Sequence, residues 1–351
     1  MYTLIDRPLT QERLETMLSS IDHAKICLIG DLCLDMYWHA DMRLSQLSRE
    51  TPHYPLPIVE ERFSPGGAGN VACNIAALRP GRFSVVGLVG TDWRGTLLLN
   101  ALAREGVNTE YVVQMDGITT NTYIKPIRHG ISDVAYEDPR LDFENRAALP
   151  DGCEEALLDA LDRAAREADV ICVSDQMQFG CITPAIRARL CEYGAQGKTV
   201  VVDSRDHMAE YRDVIIKPNE VEASRAFGDG SAMDLEGLSA LAAQVSMRSG
   251  RLVLVTLGAD GCFVADRGSV VRCPACRVEP PIDFCGAGDT FLAAFGCLLA
   301  GGVSPLEAVQ CANLCSAVTI RKIGTTGTAT RDEALSAWKA FAAQQIFIAE
   351  R

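Results

Sequence analysis

From residue 154 to residue 257 the chain switches repeatedly between two hydrophobic periods. Residues 154–167 and 183–193 carry apolar side chains at helical spacing. Residues 170–174, 199–203, 214–218 and 252–257 are short, nearly continuous apolar runs. Runs that short suit strands buried on both faces, and the helices between them suit crossovers. The pattern predicts an α/β fold with a doubly wound, mainly parallel sheet flanked by helices. Two more runs, 25–30 and 83–89, extend that sheet towards the N-terminus. Residues 35–62 mix aromatics, prolines and charges without a helical period. Stretches 111–115, 119–128 and 132–140 are rich in Val, Thr and Tyr and are broken by Gly117 and Gly130. Both regions, 35–62 and 111–142, are expected to form a small β-sheet lid inserted in the α/β core of one domain spanning 1–351. Residues 9–21 and 334–348 read as terminal helices.

Composition narrows the function classes. With 351 residues, 48% of them hydrophobic, the chain can bury a large core. A net charge of −13 argues against a nucleic-acid partner, which calls for a basic face. No apolar run reaches membrane-spanning length, and the N-terminus lacks a basic-then-apolar signal pattern, so a cytoplasmic location is expected. The fourteen cysteines are scattered through apolar stretches, as reduced buried thiols would be. Cys273 and Cys276 form a CxxC with no second pair, so no structural metal is expected.

Chemistry concentrates in residues 282–290, IDFCGAGDT, which lead into the apolar helical run 291–300. Glycines at a helix start let the backbone approach a ligand, and the first-turn amides together with the helix dipole favour an anion. The amides of Gly286, Ala287 and Gly288 could hold phosphoryl oxygens while Asp289 accepts the proton of an attacking hydroxyl. From these residues alone, a glycine-rich turn with Asp289 as an early helix residue explains the pattern equally well. A second glycine cluster, Gly66-Gly67-Ala68-Gly69-Asn70, opens the helical run 71–78. Its match to the dinucleotide pattern GxGxxG/A fails on context, because residues 60–65 are not an apolar strand. Gly66 and Gly67 can instead bring the backbone close to a sugar, with the Asn70 amide bonding its hydroxyls. Asp31 and Asp35 follow the 25–30 run, where α/β folds bind ligands; turn formation is the simpler account of either one alone. Lys125, Arg128 and Arg140 are basic groups in the lid of an acidic chain and could together meet a phosphate. Asn219 and Glu222 have capping-box spacing after the 214–218 run.

The two glycine clusters, in this order and over two hundred residues apart, resemble the signatures of the ribokinase-like (PfkB) carbohydrate kinases. The resemblance runs from about residue 25 to about residue 332. It implies an enzyme, a phosphotransferase with an alcohol acceptor, moving the γ-phosphoryl group of ATP to a sugar hydroxyl, with Asp289 as base. It implies sugar contacts from Asp31, Asp35, Gly66, Gly67 and Asn70. It implies nucleotide contacts from Asn219, Thr256, Gly258, Gly261, Asn313 and Gly324. Glu222 would face the waters of Mg²⁺, and Asp283 would help bind a monovalent cation such as K⁺. Residues 30–38, 140–144 and 323–325 most resemble the kinase domain of bacterial heptose-7-phosphate kinases, which implies a phosphorylated sugar as acceptor. Departures from the pattern are Cys285 in place of a usual threonine, Phe284 beside it, and Gln176 and Gln178 where Tyr and Lys are usual. A kinase of another sugar or of a nucleoside, and a sugar- or nucleotide-binding sensor without catalysis, are the alternatives. No second catalytic domain is expected within these residues, and a homodimer through the lid strands would cover their apolar side.

Overall fold

The computed structural model describes residues 2–5 and 9–343. The apolar runs assemble into a ten-stranded sheet. In space the order is Thr3–Leu4, Ser269–Cys273, Cys262–Asp266, Val253–Thr256, Ile215–Ile216, Thr199–Ser204, Val170–Asp175, Lys25–Gly30, Arg82–Gly90 and Tyr111–Met115. Neighbours are parallel except in the meander from Val253–Thr256 through Cys262–Asp266 to Ser269–Cys273. The central strand Val170–Asp175 lies between Lys25–Gly30 and Thr199–Ser204 and is buried at every position. This is the doubly wound α/β architecture, and helices cover both faces. Cys153–Arg166, Pro184–Ala195 and Leu235–Ser249 pack on one face. On Cys153–Arg166 the buried residues Cys153, Leu157, Leu161 and Ala164 form a single stripe at helical spacing. The other face carries Gln11–Ser20, Ala68–Ala77, Ala287–Ala300, Pro305–Thr319 and Arg331–Ala343. Ala287–Ala300 is buried continuously from Thr290 to Leu298, because it lies between the sheet and two further helices. Of the expected terminal helix 334–348, residues 344–348 lie outside the described residues.

A second sheet of five strands stands beside the first. Leu32–Asp41 pairs antiparallel with Ile58–Gly67 and parallel with Thr122–His129. Tyr136–Glu137 and Leu141–Phe143 pair antiparallel with Thr122–His129. Only Asp31 separates the main-sheet strand Lys25–Gly30 from the lid strand Leu32–Asp41, and Gly67 passes directly into the Ala68–Ala77 helix. The two sheets are therefore joined where ligands bind in such folds, at the carboxyl ends of the parallel strands.

Two parts of the expected lid differ. Tyr111–Met115 is the edge strand of the main sheet, parallel to Arg82–Gly90. It follows the Trp93–Arg104 helix, and a strand–helix–strand crossover returns its second strand to the same sheet. Between 130 and 140 only Tyr136 and Glu137 are extended in a ladder; the rest is turn and loop.

Candidate active site

The Ala287–Ala300 helix starts at Gly286, whose φ of +79° is left-handed. A Cβ on Gly286 would sit 2.5 Å from Asn70 Nδ2, so both the conformation and the space require glycine. The turn before it is clamped by Asp283: Oδ1 accepts from the Cys285 N–H at 3.0 Å and Oδ2 from the Gly324 N–H at 2.9 Å. The Ala287 N–H closes the turn on the Phe284 carbonyl at 3.2 Å. The Gly286 and Gly288 N–H groups beside it make no backbone hydrogen bond of this kind among the described residues. Ala287 lines the same cavity as Gly286 and Gly288.

Asp289 lies on the first turn, half-buried in the wall of a cavity. Burial pushes its carboxyl up to about 6, and the hydrogen bond from Asn70 pulls the other way. That bond, Asn70 Nδ2 to Asp289 Oδ2, is 2.8 Å long. It links the linings of two cavities, Asn70 belonging to one and Asp289 to the other. One, of about 670 Å³, is lined by Gln176, Asp203, Lys217, Asn219, Glu222, Thr256, Gly258, Gly261, Asn313 and the Gly286–Asp289 turn. The other, of about 630 Å³, is lined by Tyr37, Arg62, Ser64, Asn70, Arg104, Lys322 and Gly324, among others. All the expected nucleotide residues line the first except Gly324. Gly324 lies on the second and is tied to Asp283.

Asn219 caps the Glu220–Phe227 helix through the expected capping box: Asn219 Oδ1 accepts from Glu222 N–H at 2.8 Å, and Glu222 Oε2 accepts from Asn219 N–H at 2.9 Å. Burial and the nearby Asp203 raise the Glu222 carboxyl above its ordinary value. No cluster of three or more metal-ligating side chains occurs among the described residues. Glu222, Asp203 and Asp289 around one polar cavity fit a hydrated Mg²⁺ held mainly through waters and phosphates. Asn313 donates to the carbonyls of Cys273 (3.3 Å) and Pro274 (3.1 Å), which fixes its side chain at the cavity wall.

In the lid, Asp35 is buried, and burial raises its carboxyl while Lys125 opposes the shift. A Cβ on Gly66 would lie 2.5 Å from Asp35 Oδ2, so glycine there makes room for the carboxylate. Lys125 Nζ lies 4.9 Å from the centre of the Tyr37 ring, and Arg62 approaches the same ring at 5.1 Å. Arg140 covers the Tyr123 ring at 4.4 Å and is held by both oxygens of Asp142.

Two expected acceptor contacts are engaged elsewhere. Asp31 is 2% exposed, and its carboxylate accepts three backbone N–H groups, from Gln176 (2.8 Å), Met177 (2.9 Å) and Cys181 (2.8 Å). Fixed donors occupy it, so it anchors the 176–181 loop instead of bonding a sugar. Arg128 falls on the opposite face of Thr122–His129 from Lys125, because side chains alternate along a strand, and it pairs with Asp138 at 2.6 Å.

Two residues were not anticipated. Lys217, 3% exposed, pairs with Asp203 at 2.9 Å beside Gly288 and Asp289. Burial acts against its charge, but Asp203 outweighs burial and the ammonium pKa is raised. A lysine ending an apolar strand was its signal. Asn74, buried in the Ala68–Ala77 helix, accepts from Thr290 Oγ1 at 3.1 Å and donates to the Gly327 carbonyl at 3.3 Å. It ties together the helices that carry Asn70 and Asp289. A polar residue inside an apolar helical run was the available cue.

The α/β body with its β lid carries a carboxylate, Asp289, at a glycine-opened helix start. Residues 24–332 match the pfkB family carbohydrate kinase, and the chain belongs to that family. It is 35% identical over 321 residues to the bifunctional protein HldE of Caulobacter sp. strain K31, covering 88% of this chain and 62% of the relative. The chain thus spans about three-fifths of the length of such relatives. Among solved structures it resembles Arabidopsis thaliana ribokinase complexed with ribose and ATP, with a TM-score of 0.68 and 22% identity over 90% of this chain and 99% of that one. Escherichia coli phosphofructokinase-2 in complex with potassium gives a TM-score of 0.69 and 20% identity, over 91% and 99% of the two chains.

Proposed function

We propose that this chain transfers the γ-phosphoryl group of ATP to a hydroxyl of a phosphorylated sugar, with a heptose 7-phosphate as the acceptor. The carrying observation is the Asn70–Asp289 hydrogen bond, which ties a residue lining one cavity to a residue lining the other. A nucleotide on one side and a sugar on the other would meet at that carboxylate. Asp289, ionised above about pH 6, takes the proton of the acceptor hydroxyl as its oxygen attacks the γ-phosphorus. The Gly286 and Gly288 amides and the Lys217 ammonium receive the charge on the phosphoryl oxygens. Mg²⁺ supplies neutralisation of the phosphate charge when bound, and Glu222 orients its waters. Asp35 receives acceptor hydroxyls, and Lys125 with Arg62 and Arg140 receives the acceptor's own phosphate. The sequence likeness to HldE supports the heptose reading. K⁺ would sit beside Asp283 and the carbonyls near Gly324, and replacing K⁺ by tetramethylammonium should lower activity; an unchanged rate removes that site.

Apolar side chains exposed on the lid, including Ile58, Val59, Tyr136 and Leu141, support a homodimer through this sheet. Light scattering at assay concentration tests it, and a monomer contradicts it. No described helix is long and apolar enough to cross a membrane. The acceptor is tested by competition for MgATP among a heptose 7-phosphate, the free heptose, a pentose and a nucleoside at equal concentration. Preference for the phosphorylated heptose, weakened at least tenfold by Lys125→Ala, is the expected result. Preference for an unphosphorylated acceptor overturns the assignment.

A further inference from the structure

The ring of Phe284 is 68% exposed, although it stands two residues before the first of the amides that would receive the phosphoryl group. Its backbone is held: Asp283 clamps the turn from both sides, and the Phe284 carbonyl accepts from Ala287. A ring on a fixed mount, with its face in water and a polar cavity below it, has no packing role in the free protein. The same cavity is lined by the polar and charged side chains of Gln176, Asp203, Lys217 and Asp289, among others. We propose that Phe284 is a water-excluding cover, whose ring closes over the γ-phosphoryl group once MgATP is bound and the acceptor has entered. The proposal rests on the phosphotransferase reading above.

Water competes with the sugar for the same step. A water oxygen would bond to the γ-phosphorus, the bond to the ADP oxygen would break with its electron pair leaving on ADP, and Asp289 would take the water's proton. The products are ADP and inorganic phosphate. Nothing in the Asp289 carboxylate distinguishes water from a sugar hydroxyl, so discrimination requires shielding the reacting centre. An exposed aromatic is suited to this, because it is apolar, rigid and able to cover a large area with two torsions.

The structure supplies a reporter beside it. Cys285 is the exposed cysteine of the chain, Cys191 is partly exposed, and the other cysteines are buried. Closure of the ring should screen the Cys285 thiol. The experiment measures the rate of iodoacetamide labelling at Cys285 by peptide mass spectrometry, with and without Mg²⁺ and the non-hydrolysable analogue AMP-PNP. Parent, Phe284→Leu and Phe284→Ser proteins are compared, and calorimetry reports analogue binding to each. Beside it runs MgATP hydrolysis with no sugar present. The analogue should slow labelling at least fivefold in the parent and in Phe284→Leu, and less than twofold in Phe284→Ser. Sugar-independent hydrolysis should rise at least fivefold in Phe284→Ser alone. If the analogue binds all three proteins, but labelling and hydrolysis are the same in each, the cover is refuted and the kinase reading stands. If the analogue does not bind the parent, the kinase reading itself fails, and the cover with it.

Discussion

Removing the Asn70 amide should move the titration of Asp289. The Asn70 N–H donates to the carboxylate across 2.8 Å, so it stabilises the ionised form and lowers the pKa. Burial, the larger effect, raises the carboxyl, and the balance stands at about 6. A hydrogen bond to a charged group contributes about 1.5–3 kcal/mol, and about 1.4 kcal/mol corresponds to one pKa unit. Asn70→Ala should therefore raise the Asp289 pKa by about 1–2 units, to about 7–8. The base works ionised, so the rising limb of kcat/KM against pH should move up by the same amount. At about pH 6.5 a shift of about 1.5 units lowers the ionised fraction roughly eightfold, and at about pH 9 it changes almost nothing. A lost sugar contact would instead depress the whole profile evenly. The assay is kcat/KM for the acceptor at saturating MgATP from about pH 5 to about pH 9, for parent and variant. A midpoint that remains at about 6 in a folded Asn70→Ala protein refutes the coupling.

Three further outcomes follow from the geometry. A Cβ at position 296 would press into the Cys172 sulfur across the helix–sheet contact, so Gly296→Ala should cost about 1–3 kcal/mol in urea unfolding with an unchanged m-value. Lys217→Met leaves the Asp203 carboxylate buried and unpaired and should cost about 3–5 kcal/mol by the same measurement, with Asp203→Leu added in the double variant recovering most of it. Arg128→Ala should leave kcat/KM for a phosphorylated acceptor within about twofold, while Lys125→Ala lowers it by about tenfold or more, because only Lys125 shares a face with Tyr37 and Asp35.

The parallel sheet was legible because buried strands and amphipathic helices leave different periods in the sequence, and the two glycine clusters fell where the fold binds ligands. Tyr111–Met115 was misplaced because a short run of Tyr and Val fits a lid strand and a sheet edge equally well by pattern. Its position after a helix was the stronger guide. Asp31 shows a different limit. Its position beyond a strand end marked it correctly as special, but which partner it has depends on where residues 176–181 arrive from far along the chain. Arg128 and Lys125 differ only by strand parity, which becomes decisive once the register of Thr122–His129 is known. The Asn70–Asp289 bond joins residues 219 positions apart, and local spacing carries no signal for it.

The direct test of the central claim is Asp289→Asn, assayed with MgATP and a heptose 7-phosphate. The substitution keeps the size of the side chain and removes the base, while the Gly286 and Gly288 amides and Lys217 are retained. The predicted result is a kcat lower by roughly 10²–10⁴-fold, with nucleotide affinity within a few-fold of the parent. A kcat close to that of the parent protein would contradict Asp289 as the base and the phosphoryl-transfer geometry built around it.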